Sequence, residues 1–332
     1  IPGSLVGSEM CIRDRSYVSN VGFQPDLLWV KGRTFSSNNR LFDSVRGASA
    51  GSLSSNQTAG NATASGQIIT SFEANGFIAP LQAGDVNQSG QDFVAWNWKG
   101  GGDAVNIGVN SITGSTPSIA SDVSANTAAG FSIVKYTGNA TANQTVGHGL
   151  SSAPELIIVK NVDDSSYNWA VYTPSIGNDK KLILNSSGAA TASGNWNNTT
   201  PTDSVFTISA NGEVNDSGDD FIAYCWHSVA GYSKIGTYTG ATSGVTENIG
   251  FQPSMVIIKN ATQSDPWGIF DNKRPSGTGN RSYLYPSTSD DEDVYSGSLS
   301  ALTLTPTGFA IDNTNSHMVN QNGETFIYMA FK

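Results

Sequence analysis

Two segments of the chain carry oxygen-bearing side chains at a spacing that resembles part of a calcium loop. DVNQSGQD at 85–92 and EVNDSGDD at 213–220 each alternate acids and amides around a central glycine, which lets a short loop wrap a hard cation. Asp85, Asn87 and Asp92 in the first, and Glu213, Asn215 and Asp220 in the second, are therefore the candidate metal ligands. A third copy has Met318 in place of the first acid and Thr325 in place of the last, and no glutamate follows where it would bind bidentately. A tight hairpin turn with glycine at positive φ accounts for all three copies, so the expectation is a turn with no metal and no other cofactor.

Other reactive side chains do not assemble into a motif. Asp43 with Arg46 and Asp271 with Arg274 share an i, i+3 spacing, where the remaining copy has Thr173 and Ile176. The expected role is an ion pair pinning a turn, since a catalytic acid would need a second carboxylate close by. His148, His227 and His317 fall at different offsets in the copies, so no shared metal or general-base site follows. The run Asp290, Asp291, Glu292, Asp293 reads as a solvated loop. The chain has no H-E-x-x-H or G-x-x-x-x-G-K-[ST], and the triplet at Gly100 lacks the lysine and helix that cradle a phosphate. No residue pattern supports catalysis, and the expectation is a protein that is not an enzyme. Trp196, set among Asn and Thr in SGNWNNTT, is the candidate ligand-binding residue, because exposed rings beside amides suit stacking on sugar faces. Its alternative is a loop tryptophan folded onto its own domain.

The elements that must position these residues are repeated. NQSGQDFVAW at 87–96, NDSGDDFIAY at 215–224 and NQNGETFIYM at 320–329 each join a polar turn to a strand. GFQPDLLWVK at 22–31, GLSSAPELIIVK at 149–160 and GFQPSMVIIK at 250–259 each place a proline before an apolar run ending in lysine. Proline cannot donate a ladder bond and marks a strand entrance, and the run behind it reads as a strand buried on both faces. GFSIVKYTG at 130–138 pairs with GYSKIGTYTG at 231–240, and the first unit has no counterpart. Period-two alternation puts Phe93, Ala95 and Asn97 on one face with Phe221, Ala223 and Cys225 and with Phe326, Tyr328 and Ala330. Val94, Trp96 and Trp98, with Ile222, Tyr224 and Trp226 and with Ile327, Met329 and Phe331, take the other. Large side chains at one offset in every copy are expected to be core.

Bulk properties bound the rest. A chain of 332 residues with 13% charged residues, net charge −10 and pI about 4.6 has no basic stripe, which excludes a phosphate-tracking nucleic-acid binder. No apolar stretch is long enough to cross a bilayer as a helix, so no membrane insertion is expected. Gly, Ser, Thr and Asn dominate, as suits short strands joined by many turns. LVGSEMCIRDR at 5–15 resembles a translated sequencing adaptor, as in a reading frame assembled from metagenomic reads, so residues 1–15 are set aside. That leaves Cys225 alone and no internal disulfide.

GFQPDLLWVK, the stretch SANTAAGFSIVKYTGNATANQTVGHGLSSAPELIIVK, NDSGDDFIAYCWHSVAGYSKIGTYTG and NGETFIYMAFK resemble a family of repeat-bearing proteins of marine tailed phages, described as tail-fibre-like or lectin-like. The resemblance covers the chain after Ser16 and implies concanavalin-like or jelly-roll sandwiches on a virion, touching host glycans. The expected fold is all-β: tandem antiparallel β-sandwich repeats. Residues 16–99 form an N-terminally truncated unit 1, 100–129 a linker, 130–229 unit 2 and 230–332 unit 3. Units 2 and 3 are expected to pack rigidly while unit 1 hinges. The expected function is a non-enzymatic, extracellular virion appendage protein binding host cell-surface polysaccharide through its loops, alongside other virion proteins and as a homotrimer. A structural spacer or capsid-decoration role, and a glycan depolymerase, are the alternatives.

Overall fold

The computed structural model describes residues 5–6, 16–63, 68–80, 84–114, 116–274, 282–294, 302–312 and 318–332. Among these residues the regular structure is almost entirely β, in antiparallel sheets, with one α-helical turn at Gly212–Asn215 and two 3-10 turns. Each unit pairs a larger sheet with a smaller one. In unit 1 the larger sheet centres on Phe93–Trp98, Leu27–Gly32 and Arg40–Asp43, and the smaller holds Ser16–Val18, Gly76–Ala79 and Ser71–Glu73. Unit 2 sets Asp220–Trp226, Leu156–Asn161 and Ala170–Tyr172 against Gln144–Gly147 and Val205–Ile208. Unit 3 sets Thr325–Phe331, Met255–Asn260 and Gly268–Asp271 against Val245–Asn248, Gly308–Ile311 and Leu302–Thr305. The register is the same in every copy: Leu27 lies opposite Trp98, Leu156 opposite Trp226, and Met255 opposite Phe331.

The two faces of these strands enter different cores. Phe93 and Ala95, Phe221 and Ala223, and Phe326 and Ala330 each face the smaller sheet of their own unit, forming three separate sandwich cores. Val94, Trp96 and Trp98 face the other way and meet Ile222, Tyr224 and Trp226 and also Ile327, Met329 and Phe331 in one cluster shared by all three units. Trp98, Trp226 and Phe331, at the same offset in their strands, converge at ring-centroid distances of 6.3, 5.7 and 6.5 Å. The larger sheets therefore wrap a common apolar axis. Burial of both faces explains why these strands read as continuous apolar runs.

Contacts between units repeat in a cycle. Asn39, Trp169 and Trp267 sit four residues before Asp43, Thr173 and Asp271, and each donates from its side chain to backbone of a neighbouring unit. Asn39 Nδ2 donates to the carbonyls of Tyr285 and Thr288 in unit 3, Trp169 Nε1 to Ser54 in unit 1, and Trp267 Nε1 to Ile183 in unit 2. Unit 1, expected to hinge, instead joins the shared core and is hydrogen-bonded to both other units. Residues 100–129 are not a spacer either. Val105–Ile107 and Ser121–Asn126 extend the unit 2 sheet to eight strands through pairing with Phe131–Thr137, and Gly100 N–H donates to Asp26 of unit 1. The strand expected to be missing from unit 1 has a short stand-in: Leu5–Val6 pair with Asn97 and Trp96, in the slot that Phe131–Thr137 and Ser233–Thr239 fill in the other units.

The repeated turn is locked by local hydrogen bonds. Asn215 and Asn320 are buried, accept the backbone N–H of Asn139 and Ala241, and donate to nearby carbonyls. Gly138 and Gly240 end the preceding strands because the turn backbone lies against them: a Cβ there would meet Asp216 O at 2.1 Å and Gln321 O at 2.0 Å. Trp226→Ala, which empties the axis, is expected to lower the unfolding free energy by about 3–5 kcal/mol in urea titration. A loss below about 1 kcal/mol would mean that the axis contributes little packing.

Candidate functional site

The structure disperses the calcium-loop residues into separate structural roles. Asp85 pairs with Arg40 at 2.5 Å and accepts from Asn38, and Asn87 donates to Pro80 O. Asp92 accepts the Arg33 N–H through its backbone carbonyl. Glu213 is buried between Lys181 and Asn195, Asn215 staples the turn, and Asp220 pairs with Lys135 at 2.8 Å. Trp196 is 1% exposed, donates to Lys180 O and packs edge-on against Tyr172 inside unit 2, so its ring is not offered to a sugar.

The acids that do converge come from two loops. Asp164, Asp216 and Asp219 bring one carboxylate oxygen each to within 4.8 Å of the others, at a half-exposed corner of unit 2. Two metal–oxygen bonds of about 2.4 Å span at most ~4.8 Å, so the three oxygens fit around one calcium-sized cation. Adjacent strands create the corner. Leu156–Asn161 pairs with Asp220–Trp226, which lays the loop carrying Asp164 beside the turn carrying Asp216 and Asp219. Asn161 Nδ2 donates to Asp219, and Tyr167 Oη donates to Asp216, which raises the Tyr167 pKa. Ser166 donates its backbone N–H to Asp164 and holds that carboxyl below its usual range.

Among the described residues, only unit 2 has this set. Unit 1 carries Gln88 and Gln91 at the turn positions and Phe35 four residues after its strand-ending lysine; unit 3 carries Gln321, Glu324 and Gln263. In those units the corner closes with Thr34 Oγ1 donating to Gln91 and Gln263 Nε2 donating to Glu324. Matching a contiguous calcium loop misses the trio because one ligand lies on another hairpin. Comparing the three copies position by position is the signal that finds Asp216 and Asp219.

The i, i+3 pairs belong to the interface between units. Arg46 and Arg274 bind Asp43 and Asp271 at 2.6 and 2.7 Å with both partners buried, and each aspartate also accepts a bond from another unit: Tyr224 Oη at 2.9 Å and Trp96 Nε1 at 3.2 Å. Where the pair is replaced by Thr173 and Ile176, the third unit presents Met329, an apolar side chain, to the same shared core. The acidic run is not simply solvated, because Glu292 joins Arg33 of unit 1 to Arg274 of unit 3. Lys31, Lys160 and Lys259 are fully buried, and burial pushes each amine down to about 8. They bind loop carbonyls, two of them across units: Lys31 to Ser289 O and Lys259 to Ser187 O.

His148 is buried with Nδ1 accepting from Leu150 N–H and Nε2 facing Thr202 O, an arrangement that suits the neutral ring, and burial lowers its pKa to about 4. His227 lies at the 9%-exposed link to unit 3, and His317 is outside the described residues. Cys225 is a buried free thiol whose pKa burial drives up.

These features define an all-β repeat protein in which three sandwiches are fused around one apolar axis and, among the described residues, unit 2 alone carries an acidic corner. The chain belongs to the family described as a domain of unknown function, DUF7483, whose match runs over residues 7–332 and so takes in all three units. No curated protein and no solved structure matches it.

Calorimetric titration of the full chain is expected to show calcium binding that Asp216→Asn weakens roughly tenfold, about 1.4 kcal/mol; an unchanged isotherm would rule out the trio as the ligand set. For His148 the folded-state pKa lies below the unfolded value, so the unfolded chain takes up a proton that the folded chain refuses. Stability is complete above the ordinary value of 6.5 and declines as pH falls toward 4, by about 1.4 kcal/mol per unit. Urea midpoints measured across that window should show a shallower decline in His148→Gln than in the unaltered chain.

Proposed function

We propose that the protein is a non-enzymatic virion appendage component, tail-fibre-like, that binds a host cell-surface polysaccharide through the loops of unit 2. The observation that carries this reading is the difference between the copies. Units 1 and 3 fill the corner with amide and hydroxyl contacts or a single acid, whereas unit 2 offers three carboxylates beside the phenol of Tyr167. A cation held there leaves coordination positions for the vicinal hydroxyls of a neutral sugar, and an adjacent aromatic ring suits a sugar face. The resemblance to tailed-phage repeat proteins supports placement on an extracellular particle surface, among other virion proteins.

The shared apolar axis favours a second, architectural reading in which the three units serve as one rigid spacer or decoration body. A polysaccharide array probed with the full chain, in calcium and in chelator, separates the two. The binding reading expects a calcium-dependent signal that Asp216→Asn reduces. Absence of signal from the folded chain overturns it and leaves the architectural role.

A further inference from the structure

Glu213 gathers an amine and a carboxamide on one oxygen. Its Oε2 accepts from Lys181 Nζ, in an ion pair, and from Asn195 Nδ2 at 2.5 Å. Glu213 and Asn195 are buried, and the Lys181 side chain is 17% exposed. Three neighbouring elements fix them: Lys181 on the strand Lys180–Ile183, Asn195 in the turn after Thr191–Ala192, and Glu213 in the helical turn Gly212–Asn215, whose cap Asn211 accepts the Glu213 N–H. The Asn195 backbone is pinned by Ser209 N–H on its carbonyl, and the carboxamide Oδ1 is buried without a hydrogen-bond partner.

We propose that Lys181 and Asn195 are a self-modification site, at which the lysine amine displaces the asparagine amide nitrogen to form an internal isopeptide cross-link with Glu213 as proton carrier. The step needs no external reagent. Glu213 takes a proton from the Lys181 ammonium, which already donates to its Oε2. The free amine attacks Asn195 Cγ, the Nζ–Cγ bond forms, and the Cγ–Nδ2 bond breaks. Glu213 passes its proton to Nδ2, which leaves as ammonia, and takes the second proton from Nζ; the products are a secondary amide, ammonia and a protonated Glu213. Holding nucleophile and electrophile on one proton-carrying oxygen supplies the orientation such a step needs.

The other units provide an internal comparison. Two residues before the turn asparagine, unit 1 has Asp85, whose Oδ2 accepts from Asn38 Nδ2 at 3.2 Å and from Arg40 Nη2 at 2.5 Å. The layout is alike, but a guanidinium does not give up its proton, so no nucleophile forms there. Unit 3 has Met318 at that place and no acid. Amine, amide and acid meet in unit 2.

Intact mass spectrometry of the purified full chain tests the proposal without requiring any variant to fold. The expected mass is that of the sequence less one ammonia, with a branched peptide joining the segments around Lys181 and Asn195 in a digest. Lys181→Arg and Glu213→Gln are each expected to restore the full sequence mass. A full-mass unaltered chain overturns the proposal. So does ammonia loss that persists in Lys181→Arg, which would place it at an asparagine succinimide instead. A branched peptide that persists in Glu213→Gln overturns the role of the acid.

Discussion

The structure depends on a strand that is apolar on both faces. Such a strand must be covered twice, and a single sandwich covers it once. Each of the three central strands turns one face to its own smaller sheet and the other toward the remaining two units, and Trp98, Trp226 and Phe331 close on each other where the faces meet. A unit taken alone would expose a large apolar sheet to water, so the fold is complete only as three copies together.

That requirement determines where charge is tolerated. Asp43 and Asp271 enter the interface between units because each arrives with an arginine and meets a donor from another copy, leaving no buried carboxylate short of partners. At the equivalent junction the charge is gone and so is the donor facing it, replaced by Thr173, Ile176 and Met329. The buried lysines follow the same rule with carbonyl oxygens as partners. Structural work of this kind occupies the repeated polar residues, whereas Asp164, Asp216, Asp219, Lys181 and Asn195 belong to unit 2 and have their contacts within it.

Much of the fold was legible. Proline before an apolar run marked each strand entrance, and period-two alternation sorted each strand into the two faces the structure uses. Composition misled at 100–129, where Ser, Thr and Asn suggested a spacer: backbone pairing at a sheet edge is indifferent to side-chain polarity, and Val105–Ile107 needs no buried face to join. Polar neighbours misled at Trp196, because the direction of a loop side chain is set by the space beneath it, here the gap beside Tyr172. The calcium-loop template misplaced the acids for a related reason. It looks along one segment, while Asp164 reaches Asp216 and Asp219 across paired strands.

By itself the sequence determined the strand-and-turn unit, its threefold repetition and the pairing of large residues with the interior, because alternation and turn chemistry are local properties of the chain. Only the tertiary structure decided what covers the second face, and with it which acids are buried in ion pairs and which stand together at an accessible corner. Those outcomes depend on residues far apart in the chain meeting at packing distance, and no local pattern encodes that meeting.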